Sequence, residues 1–333
     1  MLRALKFVQG AVAKKDFVPE MTHFHIKAGE ITSSNGVITL CSPIGLNLEV
    51  RPKADQMAKA IAACQGEQIV MHLTAAGKLS IKAGAFRATV ECLPLTSAFA
   101  PPASCIGQGA TLSGNLIPVL RKLFPLISED ASRPWSRGIL LRNGSAFATN
   151  NIIAVEHWLS GWGLPFDVNL PRAAIVEMLR IGEEPLDVIA EDGAVSFTYE
   201  GGRWLRTQVL SLEWPDLSRV LEAGVLPLTV APAFWDSLTT LSPLADKMLR
   251  EVYVDSTYVA TTLSPDTGAS VECQWATDGA LSPVTPALFN IDQLLKLKGV
   301  ATAINMAAYP APCTFNGDQL RGAIVGLRPA KVG

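Results

Sequence analysis

The feature that most constrains the fold of this chain is an internal repeat. One pattern occurs three times, about 117 residues apart. It consists of a short alternating strand, a turn with Gly, Asp or Glu, and a second strand that begins with a large apolar residue near an arginine. Phe86-Arg87 aligns with Leu320-Arg321 without a gap, whereas the middle copy needs a small insertion that places Trp204 or Leu205 at the same point. The pattern predicts a β-hairpin in each copy. The three segments are LSIKAGAFRATVECLP at 79–94, VSFTYEGGRWLRTQVLSL at 195–212 and CTFNGDQLRGAIVGLRP at 313–329.

Two further units recur in the same order around these hairpins. One runs from a strand into a helix, and the other is a strand that ends in small polar residues and follows a second helix candidate. Breaks rich in Pro, Gly and Ala fall at 98–109 and 221–227. We therefore expect an α+β protein of three repeated domains, each with two helices packed on antiparallel sheets, at residues 1–107, 108–223 and 224–333. The strand-to-helix units are 47–64, 166–182 and 287–299, the strands are 36–42, 144–151 and 257–264, and the preceding helix candidates are 2–14, 115–128 and 231–246.

Composition excludes several classes of protein. The net charge of −2 excludes a nucleic-acid binder that works by blanket neutralisation of phosphates, although a local basic face is compatible with it. The cysteines are widely spaced and form no CxxC motif, which argues against a zinc ribbon or a redox pair and favours a reducing compartment. The first residues have too short an apolar run for a signal peptide, and no stretch approaches a membrane span, so we expect a cytoplasmic protein. The six cysteines are Cys41, Cys64, Cys92, Cys105, Cys273 and Cys313.

Four segments give the chain a resemblance to a known family. PDLSRVL at 215–221 resembles FPDYRRVLP, FNIDQLL at 289–295 resembles FNxxYLL, NLPRAAIVEMLRI at 169–181 resembles the helix PRKAxxELxRL, and IVGLRP at 324–329 resembles an apolar C-terminal tail. All four motifs belong to the bacterial-type DNA sliding clamp, the beta subunit of DNA polymerase III. The segments are modest signals alone, but they occur in the family's order. The chain departs from the family by opening almost directly in a helix, by continuing past Arg328 as PAKVG, and by replacing ATDGHR with Ala148–Ile153. A compact, diverged clamp of phage or mobile-element origin fits these departures.

The resemblance implies a function without covalent chemistry, catalytic residues, cofactor or metal. In the family, two three-domain subunits join head to tail, first domain to third, in a ring that encircles duplex DNA and tethers the replicative polymerase. Helices line the hole, and their positive side chains contact phosphates without reading sequence. The positive side chains of the candidate helices, which the resemblance places in the DNA channel, are Lys14, Lys15, Lys53, Lys59, Arg121, Lys122, Arg172, Arg180, Lys247, Lys296 and Lys298.

The resemblance also implies a pocket between the second and third domains that binds short apolar peptides of the polymerase and the clamp loader. Ile152 and Ile153 replace a polar His-Arg pair of the family, which predicts a drier pocket with an altered peptide preference. Trp214 is left unassigned by the resemblance, and both a core position and the pocket floor remain open for it. The residues matched to the pocket are Thr149, Asn151, Ile152, Ile153, Ala154, Pro215, Arg219, Val220, Asn290, Gln293, Ile324, Val325, Leu327 and Arg328.

Other classes of function remain as alternatives. His23 and His25 are two residues apart, so on a strand they would share a face and could hold a metal, but no third ligand is near them in sequence. GQGATLSG at 107–114 lacks the lysine of a phosphate-binding loop, and no GxSxG occurs. A metal-dependent enzyme is therefore the weaker alternative, and a phage structural or assembly protein of repeated α+β domains is the stronger. A trimeric ring also stays open beside the dimer.

Overall fold

The computed structural model describes residues 1–15, 18–64, 68–96, 100–222, 227–277 and 286–328. The predicted break at 221–227, the predicted boundary at 223/224 and the tail beyond Arg328 therefore lie wholly or partly outside the described residues, as does part of the break at 98–109. The described chain is a mixed α+β structure whose helices pack on antiparallel sheets, as the sequence predicted. Its α-helices are α1 (Leu2–Val8), α2 (Ala54–Ala63), α3 (Leu116–Leu123), α4 (Arg172–Ile181), α5 (Ser218–Leu221), α6 (Pro232–Leu241) and α7 (Ile291–Leu295).

The chain divides into two compact units. Unit 1 comprises residues 1–117 and 161–210, and unit 2 comprises 118–160 and 211–333. The strands of unit 1 are β1 (His25–Lys27), β2 (Glu30–Ser34), β3 (Ile38–Pro43), β4 (Arg51–Pro52), β5 (Val70–Leu73), β6 (Leu79–Ala83), β7 (Phe86–Val90), β8 (Cys92–Leu93), β9 (Gln108–Thr111), β13 (Val168–Pro171), β14 (Asp187–Glu191), β15 (Ala194–Tyr199) and β16 (Arg203–Gln208). Those of unit 2 are β10 (Gly138–Arg142), β11 (Ser145–Thr149), β12 (Ile153–Trp158), β17 (Leu228–Thr229), β18 (Glu251–Val254), β19 (Tyr258–Ala260), β20 (Ser270–Glu272), β21 (Ala287–Asn290), β22 (Ala303–Ile304), β23 (Cys313–Gly317) and β24 (Leu320–Ile324).

Unit 1 is built around a seven-stranded sheet with the order β1-β2-β3-β16-β15-β14-β9. Its centre is the antiparallel pair β3 and β16, in which Ile38 faces Thr207 and Cys41 faces Trp204. A three-stranded sheet, β5-β6-β7, and the small pair β4-β8 also belong to the unit. The β3–β16 pair joins a strand of the predicted first domain to a strand of the predicted second domain, so the two units do not follow the predicted boundaries. The division into three domains stays a prediction.

Helices α1 and α4 of unit 1 are fastened together by one arginine. The guanidinium of Arg180 donates hydrogen bonds to the main-chain carbonyls of Lys6 (3.0 Å) and Phe7 (2.7 Å), the last turn of α1. The same group is paired with the buried carboxylate of Glu177. A cation at the carbonyl end of a helix stabilises its dipole, so Arg180 serves this junction.

In unit 2, seven strands pair side by side in the order β10-β11-β12-β24-β23-β22-β17. The β12–β24 pair places Ile153 opposite Ile324 and His157 opposite Leu320. A second sheet has the order β20-β19-β18-β21, and α6 packs on it through buried Phe234.

The three predicted hairpins are present as β6–β7, β15–β16 and β23–β24. The outer two have the same two-residue turn, with Ala83 opposite Phe86 and Gly317 opposite Leu320. The middle turn is one residue longer, and Tyr199 faces Arg203. The predicted equivalence with Trp204 or Leu205 is therefore wrong: Arg203 follows the turn, because Gly201 and Gly202 both have positive φ and lengthen the turn by one residue.

Several helices are shorter than predicted. α1 gives way to a 3₁₀ turn at Gln9–Ala11, and the Ala13 N–H then bonds to the Met21 carbonyl, so the predicted helix over 2–14 stops early. The predictions at 115–128 and 231–246 end in 3₁₀ turns at Phe124–Leu126 and Ser242–Leu244. Each of these last two turns has a proline in its first positions, and proline lacks the N–H group that would donate the next helical hydrogen bond.

Candidate functional site

The turn between β11 and β12 is fixed by its own side chains. Asn150 Oδ1 accepts hydrogen bonds from the main-chain N–H groups of Ile152 (3.1 Å) and Ile153 (2.8 Å), and the Thr149 hydroxyl donates to the Ile153 carbonyl (2.7 Å). Asn151 is left-handed, with φ 71°, a conformation that asparagine tolerates. The turn leaves Ile152 half-buried beside the strand start.

The strand β24 and the segment after it form the adjacent wall. Val325 continues the ladder by donating from its N–H to the Ile152 carbonyl (2.9 Å), and its own side chain is exposed. The segment is then held by Leu327, whose N–H bonds to the Leu288 carbonyl (2.8 Å) and whose carbonyl accepts from the Tyr309 hydroxyl (2.7 Å). Val325 is therefore presented on a fixed backbone.

The stretch EWPDLSRVL at 213–221 forms the opposite wall. Asp216 Oδ1 accepts from the Ser218 N–H (2.9 Å), which starts the one-turn helix α5 and lowers the pKa of the Asp216 carboxyl. Leu221 is buried, while Leu217 and Val220 are half-buried. Trp214 packs edge-on against Trp135, with ring centroids 5.1 Å apart. Trp214 therefore supports the Trp135 ring, which itself lines the cavity.

These three walls enclose a cavity of about 460 Å³ within unit 2. The structure brings together there eight of the residues matched to the pocket in the sequence: Thr149, Asn151, Ile152, Ile153, Ala154, Pro215, Val220 and Val325. Five further lining residues were missed: Arg133, Trp135, Leu217, Pro312 and Ala323. Leu217 lies inside the motif PDLSRVL and could have been included, but nothing in the sequence links Arg133 and Trp135 to the motif segments.

The other residues matched to the pocket lie outside the lining. Arg219 and Arg328 are exposed, and Ile324 is buried in the sheet opposite Ile153. Asn290 caps α7 by accepting from the Gln293 N–H (3.1 Å), and Gln293 in turn accepts from Asn150 Nδ2 (2.7 Å). Asn290 and Gln293 therefore support the turn from behind.

The lining is mainly apolar, and its polar members are Thr149, Asn151 and Arg133. Arg133 is exposed, and its Nη1 donates to the Asn151 carboxamide oxygen (2.7 Å). No carboxylate lines the cavity among the described residues. The arrangement can hold an apolar side chain in its depth and a negative or polar group at its mouth.

The basic residues matched to a DNA channel have mixed surroundings. Lys53 donates to the Thr22 hydroxyl (2.7 Å), Lys59 lies 3.8 Å from the Asp55 carboxylate, and Lys298 lies 3.4 Å from that of Asp236. Arg180 fastens α1, as described above. Only part of the set lies on helices. Lys14 and Lys15 follow the end of α1, and Lys247 and Lys298 lie in loops. The prediction that these four residues lie on helices is therefore wrong. The helical members are Lys59 on α2, Arg121 and Lys122 on α3, and Arg172 and Arg180 on α4, with Lys53 and Lys296 as flanking caps of α2 and α7.

The two histidines of the alternative metal site lie two residues apart on one extended segment. His23 follows a 3₁₀ turn and forms an isolated β-bridge with Lys53, its Nδ1 lies 2.7 Å from the Pro19 carbonyl oxygen, and His25 begins β1. Burial lowers the pKa of both, that of His25 to about 4. Within the described ranges, no three His, Cys, Asp or Glu side chains cluster to hold a metal.

A second cavity, of about 350 Å³, lies in unit 1 beside Trp204 and Ala100. Among the described helices none is long and apolar enough to cross a membrane.

Solved structures provide the comparison for this fold, since no family model and no curated protein matches the chain. A DNA polymerase sliding clamp from Bacillus subtilis superposes with a TM-score of 0.83 at 15% identity, over 99% of this chain and 97% of that one. A DnaN sliding clamp (DNA polymerase III subunit beta) from Pseudomonas aeruginosa, bound to griselimycin, gives 0.79 at 17% identity, over 98% and 97%. The beta sliding clamp of C. crescentus gives 0.81 at 18% identity, over 98% and 96%. This chain has the fold of the bacterial DNA sliding clamp.

Proposed function

We propose that this protein is a DNA sliding clamp, a polymerase processivity factor that encircles duplex DNA and tethers its partners through the cavity of unit 2. The observation that carries the proposal is the extent of the fold: the similarity to bacterial clamps covers 98–99% of the chain rather than one domain. A clamp works by topology and by weak, sequence-independent phosphate contacts, so it needs no catalytic group, cofactor or metal. We accordingly propose a cytoplasmic, non-enzymatic protein, and its divergence suits a phage-like origin.

We further propose that two copies close head to tail into a ring. Unit 2 exposes a cluster of large apolar side chains at one end of its four-stranded sheet: Leu244, Met248 (89% exposed), Leu249 and Leu263. The segment that carries Leu244, Met248 and Leu249 is held in place, because Arg250 donates a hydrogen bond to the Ser242 carbonyl (2.8 Å) and two to the Asp292 carboxylate. Exposed apolar clusters of this kind mark interaction surfaces.

Unit 1 offers a complementary surface on the sheet β5-β6-β7. Its edge strand β5 exposes Val70 and Leu73, and Leu95 is exposed after β8. An interface between two different patches is heterologous, and such interfaces close into a ring when the rotation from one subunit to the next permits it. Met248→Asp is expected to disrupt this interface. The matched control is Val176→Asp, which makes the same kind of change at an exposed apolar position on α4.

Mass measurement tests the ring directly. Sedimentation should give a particle of about twice 35.5 kDa for the protein and for Val176→Asp, and a monomer for Met248→Asp. A mass of three chains would replace the dimer by a trimer, and a monomeric parent protein would contradict the ring.

The basic residues matched to the channel are proposed to face the DNA. Arg121 and Lys122 on α3 and Lys14 and Lys15 after α1 are suited to this role, because they make no hydrogen bond within the described part of the chain. Charge reversal at Arg121 and Lys122 should weaken retention on DNA while leaving the mass unchanged.

Retention on circular DNA tests the function itself. Protein incubated with nicked circular plasmid is divided, one half is treated with an enzyme that linearises the plasmid, and both halves are separated by gel filtration. The ring proposal expects protein with the circles and its loss from the linear molecules, because only free ends let a ring slide off. Equal retention on both forms would contradict a clamp and would favour ordinary surface binding.

Titration of a labelled peptide with leucine and phenylalanine anchors tests the pocket. Val220→Asp puts a charge into the apolar wall, so we expect affinity to fall by about tenfold or more. Equal affinity for the protein and Val220→Asp would remove the pocket assignment.

A further inference from the structure

The mouth of the cavity in unit 2 carries a single kind of charge. Arg133 is the one charged residue among the described lining, and its guanidinium donates to the neutral carboxamide of Asn151 at 2.7 Å. No carboxylate among the described residues lies within ion-pair distance of Arg133. A guanidinium presents five donors in a planar fork, so one hydrogen bond to Asn151 leaves most of its donors for a ligand.

One acidic group near Arg133 is already engaged. Asp130 feels the charge of Arg133, but its carboxylate accepts hydrogen bonds from the Ser132 N–H (2.8 Å) and the Ser132 hydroxyl (2.8 Å). Those two bonds are the main cause of its lowered pKa, and Arg133 is the smallest contribution. Asp130 therefore serves its own turn rather than neutralising the mouth of the cavity.

The depth of the cavity selects an apolar group. Trp135, Leu217, Val220 and Ala323 are lining residues that are buried or half-buried, and Trp135 is held in place by its edge contact with a second tryptophan. An apolar anchor lodged there places the flanking residues of its peptide at the mouth, beside Arg133. The site thus combines an apolar interior with a cation at its rim.

We propose that Arg133 selects partner peptides that carry a carboxylate next to their apolar anchor, and that this carboxylate displaces Asn151 from the guanidinium. The inference rests on the proposed function of the cavity and deepens it. A bidentate arginine–carboxylate pair is stronger than a neutral hydrogen bond and imposes a fixed geometry, so the exchange favours the acidic ligand. The carboxylate has two possible sources, an Asp or Glu side chain and the C-terminal carboxylate of the partner.

The experiment uses the full-length protein and four short labelled peptides with the same leucine and phenylalanine anchors, followed by fluorescence anisotropy. One pair differs by Asp against Asn beside the anchor, each with an amidated end, and the other by a free against an amidated C-terminus, each with Asn beside the anchor. We expect at least one carboxylate form to bind about five- to tenfold more tightly than its neutral partner. The pair that shows the difference identifies the source.

Variants of two arginines separate recognition from general charge. Arg133→Gln should abolish the preference, so that the carboxylate and neutral peptides of each pair bind with equal affinity, and Arg133→Lys should retain only part of it, because an ammonium lacks the planar fork. Arg219→Gln, at an exposed arginine outside the lining, should keep the full preference.

The outcomes distinguish this inference from the function on which it rests. If all four peptides bind with equal affinity, or if Arg133→Gln keeps the preference, Arg133 does not read a carboxylate and the pocket assignment survives. If none of the peptides binds, the pocket assignment and this inference both fail. Retention on circular DNA is an independent readout that neither result changes.

Discussion

Two turns in this molecule have nearly the same backbone and different surroundings. In unit 1, Asn35 Oδ1 accepts from the N–H groups of Val37 (3.1 Å) and Ile38 (2.9 Å), just as Asn150 does for Ile152 and Ile153 in unit 2. Each turn leads into a strand that pairs with the second strand of a repeated hairpin. The repeat therefore extends to individual hydrogen bonds.

The side chains above the two turns differ. In unit 1 the left-handed residue is Gly36, and a Cβ built there would lie 3.3 Å from the methyl group of Met21. In unit 2 the left-handed residue is Asn151, whose carboxamide faces Arg133 at a cavity. The same backbone is thus covered by a methionine in one unit and left beside an open site in the other, so the repeat sets the frame and the substituents decide which copy can bind a ligand.

The largest expected difference between the units is the size of their response to acid, because burial lowers the pKa of two histidines in unit 1 and of one, His157, in unit 2. Met21 lies two residues before His23, and burial lowers the pKa of His23 and His25, with Arg51 and Lys53 adding to the effect and Glu20 opposing it. A depressed folded pKa means that the unfolded chain binds the proton first, so stability is full above about 6.5 and is lost as pH falls toward about 4. His25 alone contributes up to about 3 kcal/mol across this window.

Hydrogen exchange across that pH window measures the effect region by region. Amides of the Met21 segment should lose protection at higher pH than those of the turn at Asn150. His25→Gln should flatten the pH dependence of unit 1, and His72→Gln, at an exposed histidine of β5, should leave it unchanged. Parallel loss of protection in both turns would contradict the difference.

A matched pair of substitutions tests whether only one turn binds peptide. Val37 and Ile152 occupy the same position in the two turns, and Val37 is 43% exposed. Ile152→Asp should weaken binding of an apolar peptide by about 1.5–3 kcal/mol, the value of one buried apolar anchor contact. Val37→Asp should leave the affinity measured by anisotropy unchanged, and a loss in both variants would place the peptide elsewhere.

The shared asparagines should both matter for stability, and only Asn150 should matter for binding. Asn35→Ala and Asn150→Ala each remove the acceptor of two main-chain N–H groups, so each should lower the free energy of unfolding by about 1–3 kcal/mol in urea titrations. Asn150→Ala should also weaken peptide binding, because it frees the turn that carries Ile152. Equal peptide affinity in the two variants would show that the turn geometry does not limit the site.

The sequence was sufficient for the repeat, because β-hairpins and strand-to-helix units leave local patterns that recur at a fixed spacing. It was sufficient also for the part of the cavity that lies in motif segments, such as Val220 and Val325. It could not indicate Arg133 or Trp135, because these reach the cavity through a turn with no periodic pattern of its own. Helix ends at prolines were misjudged for a related reason, since a 3₁₀ turn continues the apolar spacing after the α-helical hydrogen bonds have stopped.

The smallest expected effect comes from making the two turns alike. Asn151→Gly keeps the left-handed conformation that Gly36 has in the other turn, so the free energy of unfolding should change by less than about 1 kcal/mol. The substitution also removes the carboxamide that shares the guanidinium of Arg133. If Arg133 reads a carboxylate, the Asp-containing peptide should bind somewhat more tightly to Asn151→Gly than to the parent protein, and the Asn-containing peptide should not. A fall in affinity for both peptides would show instead that Asn151 itself contacts the ligand, which would make the two turns differ by a binding group rather than by an open space.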